Sequence, residues 1–415
     1  MTESSEPGSR TAEVALLIRL GRDLHEAGLA APQLETALAR VASRLGIVAQ
    51  FFSTPTSLFI AFGDGAGQRT HLERVSPGAI DLGRLAELEA LLDRLAGGEL
   101  TPTAAATELD ELARRSRRYP RWLTGVCWAF ASATAAVFLG GAAREVVVAG
   151  AIGLLTGVIA WLADRRPSAK RLFEPFAAAL AAFGVATIAH AFPPVSAYIA
   201  TVAGLIVLLP GYTLTTALSE LATQHLSSGT SRFAGALVSF LMLGLGVAVG
   251  GRIAEALWGG VPGVVPIGPA TWLQVVALLL APVSLAVILK APATEMPWIA
   301  IVGAIGYFGG RLGVEAFEPA VGMFGGALAV GLASAGYSRL RRRPSSVTLV
   351  PGILMLVPGS IGYRSLTALL AEEVVPGIET AFKMLLVAAS LVAGLLVASA
   401  ITVERRDRSA PPQST

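Results

Sequence analysis

Two apolar stretches, VAGLIVLLPG at residues 202–211 and VPGILMLVPG at residues 350–359, align without a gap at an offset of 148 residues. Val202, Gly204, Leu208, Pro210 and Gly211 match Val350, Gly352, Leu356, Pro358 and Gly359. The register continues through Leu218/Leu366, Leu221/Leu369 and Gly229/Gly377. Each stretch is apolar enough to enter a bilayer, yet each carries proline and glycine. Proline removes a backbone donor and obstructs the carbonyl one turn back, and glycine loosens the backbone further. Backbone groups freed inside a membrane must be met by protein, water or a ligand. Matched interruptions in two halves of a chain therefore point to a transporter's binding site. The competing reading is that Pro210–Gly211 and Pro358–Gly359 simply end their spans at the interface. Pro351–Gly352 lies deeper in its run.

The surrounding chain places both stretches in a membrane. Hydrophobic residues make up 53% of the 415 and charged residues only 15%, against about one-quarter charged in an ordinary soluble protein. Residues 1–121 carry charges throughout, whereas the rest is apolar runs cut by short polar connections. About 20 apolar residues span the hydrocarbon core, and the runs predict ten spans: 123–141, 145–163, 173–192, 194–211, 231–251, 272–290, 297–311, 319–337, 347–362 and 380–402. The seventh and ninth are short and interrupted by glycine or proline. The alternation of a transmembrane β-barrel is absent. The two aligned stretches fall in the fourth and ninth spans, the same place in two sets of five. Five is odd, so the second set is inverted relative to the first. Inverted repeats suit alternating access to a central site, and channels use them too.

The expected fold is thus an α-helical polytopic membrane protein of about ten spans in two inverted five-helix repeats, behind a small α+β cytoplasmic domain. The divisions are a polar tail at 1–10, the soluble domain at 11–121, the first repeat at 122–251, an extracytoplasmic connection at 252–271, the second repeat at 272–403 and a cytoplasmic tail at 404–415. No secretory signal is read in the first residues. Glycine and alanine within spans, as in AGAIGLLTG (149–157) and GMFGGALAVG (322–331), let membrane helices approach closely.

Orientation follows from lysine and arginine. With the amino terminus inside, inner connections hold Arg114, Arg115, Arg117, Arg118 and Arg121, then Arg165, Arg166, Lys170 and Arg171, then Arg339, Arg341, Arg342 and Arg343, and finally Arg405, Arg406 and Arg408. The outer side receives scattered cations such as Arg144, Arg252, Arg311 and Arg364. Both termini are expected in the cytoplasm.

In the soluble region, two helices are predicted over 12–45, strands at 47–53, 57–62 and 69–75, and two further helices near 82–96 and 102–115. The GDGAGQ segment at 63–68 lacks a Walker lysine and a following helix, so it reads as a turn between strands. No catalytic set stands out there. The single cysteine, Cys127, excludes an intramolecular disulfide, and His25, His71, His190 and His225 lack metal-ligand spacing. No metal or cofactor is expected, and a net charge of +3 does not argue for nucleic acid. No span carries paired acids or a nucleophile–base set, which disfavours an enzyme.

After each proline–glycine pair comes an amphipathic connection, 212–229 and 360–377, whose hydroxyls and charges read as interfacial loops or as an entry path. Glu220 and Arg232 flank the fifth span's start and form a candidate pair. Glu174, before Pro175, and Lys383, one turn into the tenth span, complete the ionisable candidates, since intramembrane charges are functional suspects.

These motifs together resemble the threonine/serine exporter (ThrE-like) family of bacterial membrane proteins. The resemblance runs through LIRLGRDLHEAG (17–28), GGELTPTAAATELDELARRSRRYPRW (97–122), LLPGYTLTTALSELATQHLSSGTSR (208–232) and LVPGILMLVPGSIGYRSL (349–366). Pro210, Gly211, Glu220, Ser228, Gly229 and Arg232 fall on the family's signature positions. Glu220 stands where that signature more often has aspartate. The resemblance implies proton-driven secondary export of threonine, serine or related small polar metabolites across the bacterial inner membrane. The substrate site is expected at Pro210, Gly211, Pro351, Gly352, Pro358 and Gly359, with Glu174, Glu220 or Lys383 as the coupling group. A passive channel on the same framework is the alternative. Expected partners are the small-molecule substrate, the bilayer and protons, with homo-oligomers open.

Overall fold

The computed structural model describes residues 7–76, 78–115, 118–260, 264, 268–356, 359–370 and 372–409, without the side chains of 7–9, 66, 167–168, 370 and 403–409. The amino-terminal region, read from the sequence as soluble and called the soluble region below, comprises helices α1 (Pro7–Glu26) and α2 (Ala31–Arg44), strands β1 (Ala49–Thr54), β2 (Ser57–Phe62) and β3 (Arg69–Arg74), and helices α3 (Leu82–Ala96) and α4 (Pro102–Arg114). The strands form an antiparallel sheet in the order β1-β2-β3, with Phe51 opposite Ile60 and Ile60 opposite His71. On β2 the alternate residues Leu58, Ile60 and Phe62 point into a core shared with Leu17, Leu20, Leu24, Leu34 and Leu38. This period-two burial against helices is how a small sheet hides one face. Segment 63–68 connects β2 to β3, with Gly63 and Gly65 at positive φ. Side chains cap two helices: Asp81 accepts from the Arg84 amide, and Thr101 from that of Ala104.

The apolar region forms α5 (Arg121–Phe138), α6 (Ala143–Ala163), a short α7 (Pro167–Lys170), α8 (Phe173–Ala191), α9 (Ala197–Gly204), α10 (Gly211–Ala222), α11 (Leu226–Trp258), α12 (Thr271–Ile288), α13 (Met296–Ala316), α14 (Pro319–Arg341), α15 (Ser346–Leu354), α16 (Gly359–Leu370) and α17 (Val374–Ser409). Among the described residues, eight helical segments are long and apolar enough to cross a membrane. Of the ten expected spans, two fall outside that measure. One is α5, which opens on Arg121 and Trp122, and the other is the broken α9–α10 pair.

The structure corrects the sequence in three places. The expected seventh span is not short but a 21-residue helix, Met296–Ala316. The segments after the proline–glycine pairs are not interfacial loops. They begin with α10 and α16, and α10 buries Leu214, Thr215, Ala217 and Glu220. Pro210–Gly211 and Gly359 therefore lie on a path that is helical on both sides, and do not end it. The fifth and tenth spans also start earlier than expected, at Leu226 and Val374.

Helix boundaries repeat along the chain. Gly211 and Gly359 open α10 and α16, Ala222 and Leu370 close them, and Leu226 and Val374 open the next helices, each pair 148 residues apart. Packing repeats as well. α8 lies along α11 as α14 lies along α17, α6 meets α9 as α13 meets α15, and α10 meets α11 as α16 meets α17. Between the halves, α5 packs on α12, α10 on α17 and α16 on α11. Small residues set the close approaches: a methyl group added at Gly309 would sit 3.3 Å from Gly326 Cα, and one at Gly246 would sit 2.8 Å from Ala178 Cβ.

Candidate functional site

α9 stops at Gly204 and the helix resumes at Gly211, while α15 stops at Leu354 and α16 begins at Gly359. The break frees the Gly204 carbonyl, which accepts long hydrogen bonds from Ser132 Oγ of α5 (3.4 Å) and Thr156 Oγ1 of α6 (3.5 Å). Pro210 caps α10, and Gly211's carbonyl accepts from Thr215 Oγ1 at 3.1 Å. In the second half Pro351 lies within α15, and Gly352 packs so closely that a methyl group there would sit 2.8 Å from Val330. The two breaks meet. A Cβ on Gly359 would lie 3.2 Å from Leu209 Cβ and 3.8 Å from Gly211 Cα. Thus Gly211, next to Pro210, and Gly359 meet where the two interrupted helices pass one another, whereas Pro351 and Gly352 lie within α15 with Gly352 against Val330 and Val302; Pro358 lies outside the described residues.

Glu220, Ser228, Gly229 and Arg232 form a separate cluster two to three turns away, at the end of the bundle that carries the soluble region. Glu220 is 1% exposed and its carboxylate accepts from three donors: Ser228 Oγ (2.8 Å), Arg232 Nε (3.1 Å) and the Ala31 backbone amide (3.1 Å). Ala31 is the first residue of α2 in the soluble region, so the carboxylate also caps that helix, where the exposed amides and the dipole favour an anion. Gly229 lets α11 fold back on α10: a methyl group there would sit 2.7 Å from Leu221 Cγ. Its counterpart Gly377 meets Leu369 in the same way, at 2.6 Å.

Neighbouring contacts widen this junction. Glu35 of α2 reaches His225 at 3.4 Å and accepts from the Ser53 amide at 2.8 Å. His25 lies close by with its Nε2 bonded to the Thr54 carbonyl at 2.8 Å. Burial holds its pKa below the ordinary value, with Arg232 adding to the effect and the Thr54 contact opposing it. A second contact surface lies on the α12–α13 turn. There Lys290 pairs with Asp81 (2.9 Å), the Leu82 amide donates to the Leu289 carbonyl (2.9 Å), and Tyr119 donates to the Ala291 carbonyl (2.7 Å). Leu82 and Ala86 of α3 are buried there with Leu289, Ile299, Tyr337 and Val347. The soluble region therefore grips one turn from each half of the bundle.

The remaining candidates sit apart. Glu174 accepts from Ser239 Oγ at 3.1 Å, joining α8 to α11. Lys383 pairs with Glu379 at 2.6 Å on an exposed face of α17. It lines a cavity of about 1060 Å³ with Tyr198, Glu318, Arg364, Thr367 and Glu373, at the end of the bundle away from the soluble region. A smaller cavity of about 550 Å³ shares Tyr198 and Thr367 with it and adds Thr201, Arg252 and Tyr363. Among the described residues, no group of three or more His, Cys, Asp or Glu is placed to hold a metal.

Two further carboxylates buried in the described part of the bundle were not picked out from the sequence. Glu145 (3% exposed) accepts from the Ala142 and Ser196 amides, both at 2.9 Å, and so ties the start of α6 to the start of α9. Glu295 (2% exposed) accepts from Tyr337 Oη at 3.0 Å and faces Arg341 at 3.5 Å. Each follows the turn after the first helix of its half, six residues beyond Leu139 and Leu289, the residues that cap the ends of α5 and α12. These pairs are 150 residues apart, so the 148-residue register misses them by two positions.

Comparison with known proteins bears on this arrangement. A threonine/serine exporter family model, ThrE, matches residues 15–254, and a second threonine/serine exporter model, ThrE_2, matches residues 274–401. The chain belongs to the threonine/serine exporter family. The two models divide the chain between α11 and α12, and the first takes in the soluble region with the Glu220 junction. The chain is also similar to pheromone-regulated membrane protein 10 of three yeasts. Identity is 24% for Kluyveromyces lactis, over 84% of this chain and 38% of the relative. For Debaryomyces hansenii it is 24%, over 89% and 37%, and for Saccharomyces cerevisiae 22%, over 84% and 46%. The chain spans less than half the length of these relatives. No solved structure matches it.

Proposed function

We propose that this multi-pass membrane protein is a secondary exporter of threonine, serine or related small polar metabolites, working by alternating access. The observation that carries this reading is the meeting of two interrupted helices, with Gly359 against Leu209 and Gly211. Broken helices at matching positions leave backbone groups available to a solute at mid-bundle. The common 148-residue spacing of three helix boundaries and the recurring pairings support two five-span halves, counting α5 and α9–α10 as spans. Since α10 leads toward the soluble region and α16 away from it, the halves are read as inverted.

Orientation in this reading places the soluble region in the cytoplasm. Arg118, Arg121, Arg165, Arg171, Arg339, Arg341 and Arg343 gather at its end of the bundle, and the opposite end holds Arg144, Arg252, Arg311 and Arg364. The Glu220 junction then closes the inner side while the two cavities lie outside, the arrangement of an outward-facing state. Export requires the inner side to open, and the soluble region has to loosen its hold on α10–α11, on α12–α13 or on both. Glu220 acts here as a positioning residue of the inner gate and not as a substrate ligand, because its buried carboxylate is already held by Ser228, Arg232 and Ala31. Proton coupling is assigned to the remaining carboxylates, with Glu174 the first to replace.

Efflux of preloaded radiolabelled threonine and serine from cells expressing the chain, with and without a proton uncoupler, tests the proposal. Accelerated efflux abolished by the uncoupler is the expected result. Efflux that survives it would make the protein a facilitator. No acceleration from a chain shown to be in the membrane would refute amino-acid export.

A further inference from the structure

The cavity of about 1060 Å³ is slightly larger than a typical small-molecule pocket of about 300–1,000 Å³. Its floor is a stripe of α16, in which Ile361, Arg364, Thr367 and Ala368 recur at helical spacing. Arg364 stands five residues beyond Gly359, or about 7.5 Å along the axis at 1.5 Å per residue. It is thus one and a half turns from the point where the broken helices meet.

The charges on the wall are unevenly matched. Lys383 is already neutralised by Glu379 at 2.6 Å. Among the described residues the Arg364 side chain has no ion-pair or hydrogen-bond partner, and neither do the carboxylates of Glu318 and Glu373. Arg364 is exposed at the end of the bundle away from the soluble region, and an arginine that faces a cavity there without a counter-charge is a candidate solute contact. The bland reading is an arginine reaching for headgroups, but this one lines a half-open cavity together with the hydroxyls of Tyr198, Thr367 and Thr380. A guanidinium presents a planar fork that fits a carboxylate. Two unpaired carboxylates on the same wall welcome a cationic group and repel a second anion.

We infer that this cavity is the outer release site of the exporter, taking a zwitterion with one carboxylate, and that Arg364 is the residue holding that carboxylate. Glu318 and Glu373 set the preference for an ammonium group and against dianions. The inference rests on the export reading above. It adds a consequence: solute present outside occupies the site and competes with release.

The test uses cells expressing the full chain, preloaded with radiolabelled threonine, while unlabelled threonine, threonine amide or succinate is added outside. External threonine is expected to alter efflux of label. Threonine amide, which lacks the carboxylate, and succinate, which carries two, are expected to need far higher concentrations. Arg364→Gln should raise the effective threonine concentration on the order of ten- to a hundredfold, the loss of one charge-assisted contact, and Arg364→Lys by less. Equal action of threonine and its amide, or of succinate and threonine, overturns the inference and leaves export standing. So does an unchanged response in Arg364→Gln. The ligand series on the unaltered protein needs no variant to fold. Absence of threonine efflux altogether removes the export reading, and the release site with it.

Discussion

Removing the Glu220 carboxylate is the perturbation that most directly challenges this account. Its three donors come from α11 (Ser228 and Arg232) and from α2 of the soluble region, 189 residues away in sequence. Glu220→Ala takes away the acceptor of all three and leaves Arg232, whose side chain is 20% exposed, without its counter-charge. Breaking a buried pair in this way costs about 3–5 kcal/mol, and the bonds are not additive because they share one carboxylate. Most of that cost falls on the junction, since among the described residues the Ala31 amide has no other partner. The assay is hydrogen exchange of the full-length protein in detergent, followed on peptides covering the first turn of α2. A cost of about 3–5 kcal/mol corresponds to roughly a hundred- to several thousandfold loss of protection, at tenfold per 1.4 kcal/mol. The core of the soluble region around Leu58 and Ile60 should keep its protection, because it is held by its own packing. Combined with Arg232→Ala, the double variant should cost little more than Glu220→Ala alone. Unchanged exchange at α2, or strictly additive costs, would refute the interdomain role.

Asp81→Asn should do much less: its pair with Lys290 is partly exposed at 23% and 39%, and such bridges contribute about 0–1 kcal/mol, so thermal melting should shift only slightly. Gly229→Val should lower the melting temperature through overpacking of about 1–3 kcal/mol, as its Cβ would lie 2.7 Å from Leu221 Cγ and 2.9 Å from the Ala217 carbonyl. The soluble region should also respond to pH in two directions. Burial, with the nearby Asp93 charge, pushes the Glu89 carboxyl up to about 7, against the opposing effect of Arg40. A raised folded pKa means that its stabilisation is present at low pH and lost as pH climbs through about 7. His25, depressed by burial, stabilises above its ordinary pKa of 6.5 and loses that contribution as pH falls below it. The melting temperature of Glu89→Gln should therefore gain on the parent between about pH 4.5 and 7 and stay offset above that, and that of His25→Gln should fall less steeply below pH 6.5; superimposable profiles would contradict both assignments.

Much of the architecture was legible because a bilayer allows so few solutions. Runs of apolar residues must be helices when no water is present to satisfy the backbone, so α6, α8, α12 and α14 fall close to the expected spans. The proline–glycine repeat located both interruptions, since a missing donor and a loosened backbone are local properties. The pairing of Glu220 with Arg232 was legible too, being a contact between neighbouring helix ends. What tertiary structure alone decided is what lies across space from these local features. Nothing in residues 211–222 states that their carboxylate will cap a helix beginning at Ala31, because an orphan amide at a helix end accepts any anion that the fold delivers. Nor could the sequence show that Gly359 would face Leu209, or that Arg364 would go unpaired while Lys383 met Glu379. Glu145 and Glu295 were hidden for a similar reason: each is an isolated acid in its own stretch. Local chemistry fixes which backbone groups are left unsatisfied, and only the packing of distant segments determines what satisfies them.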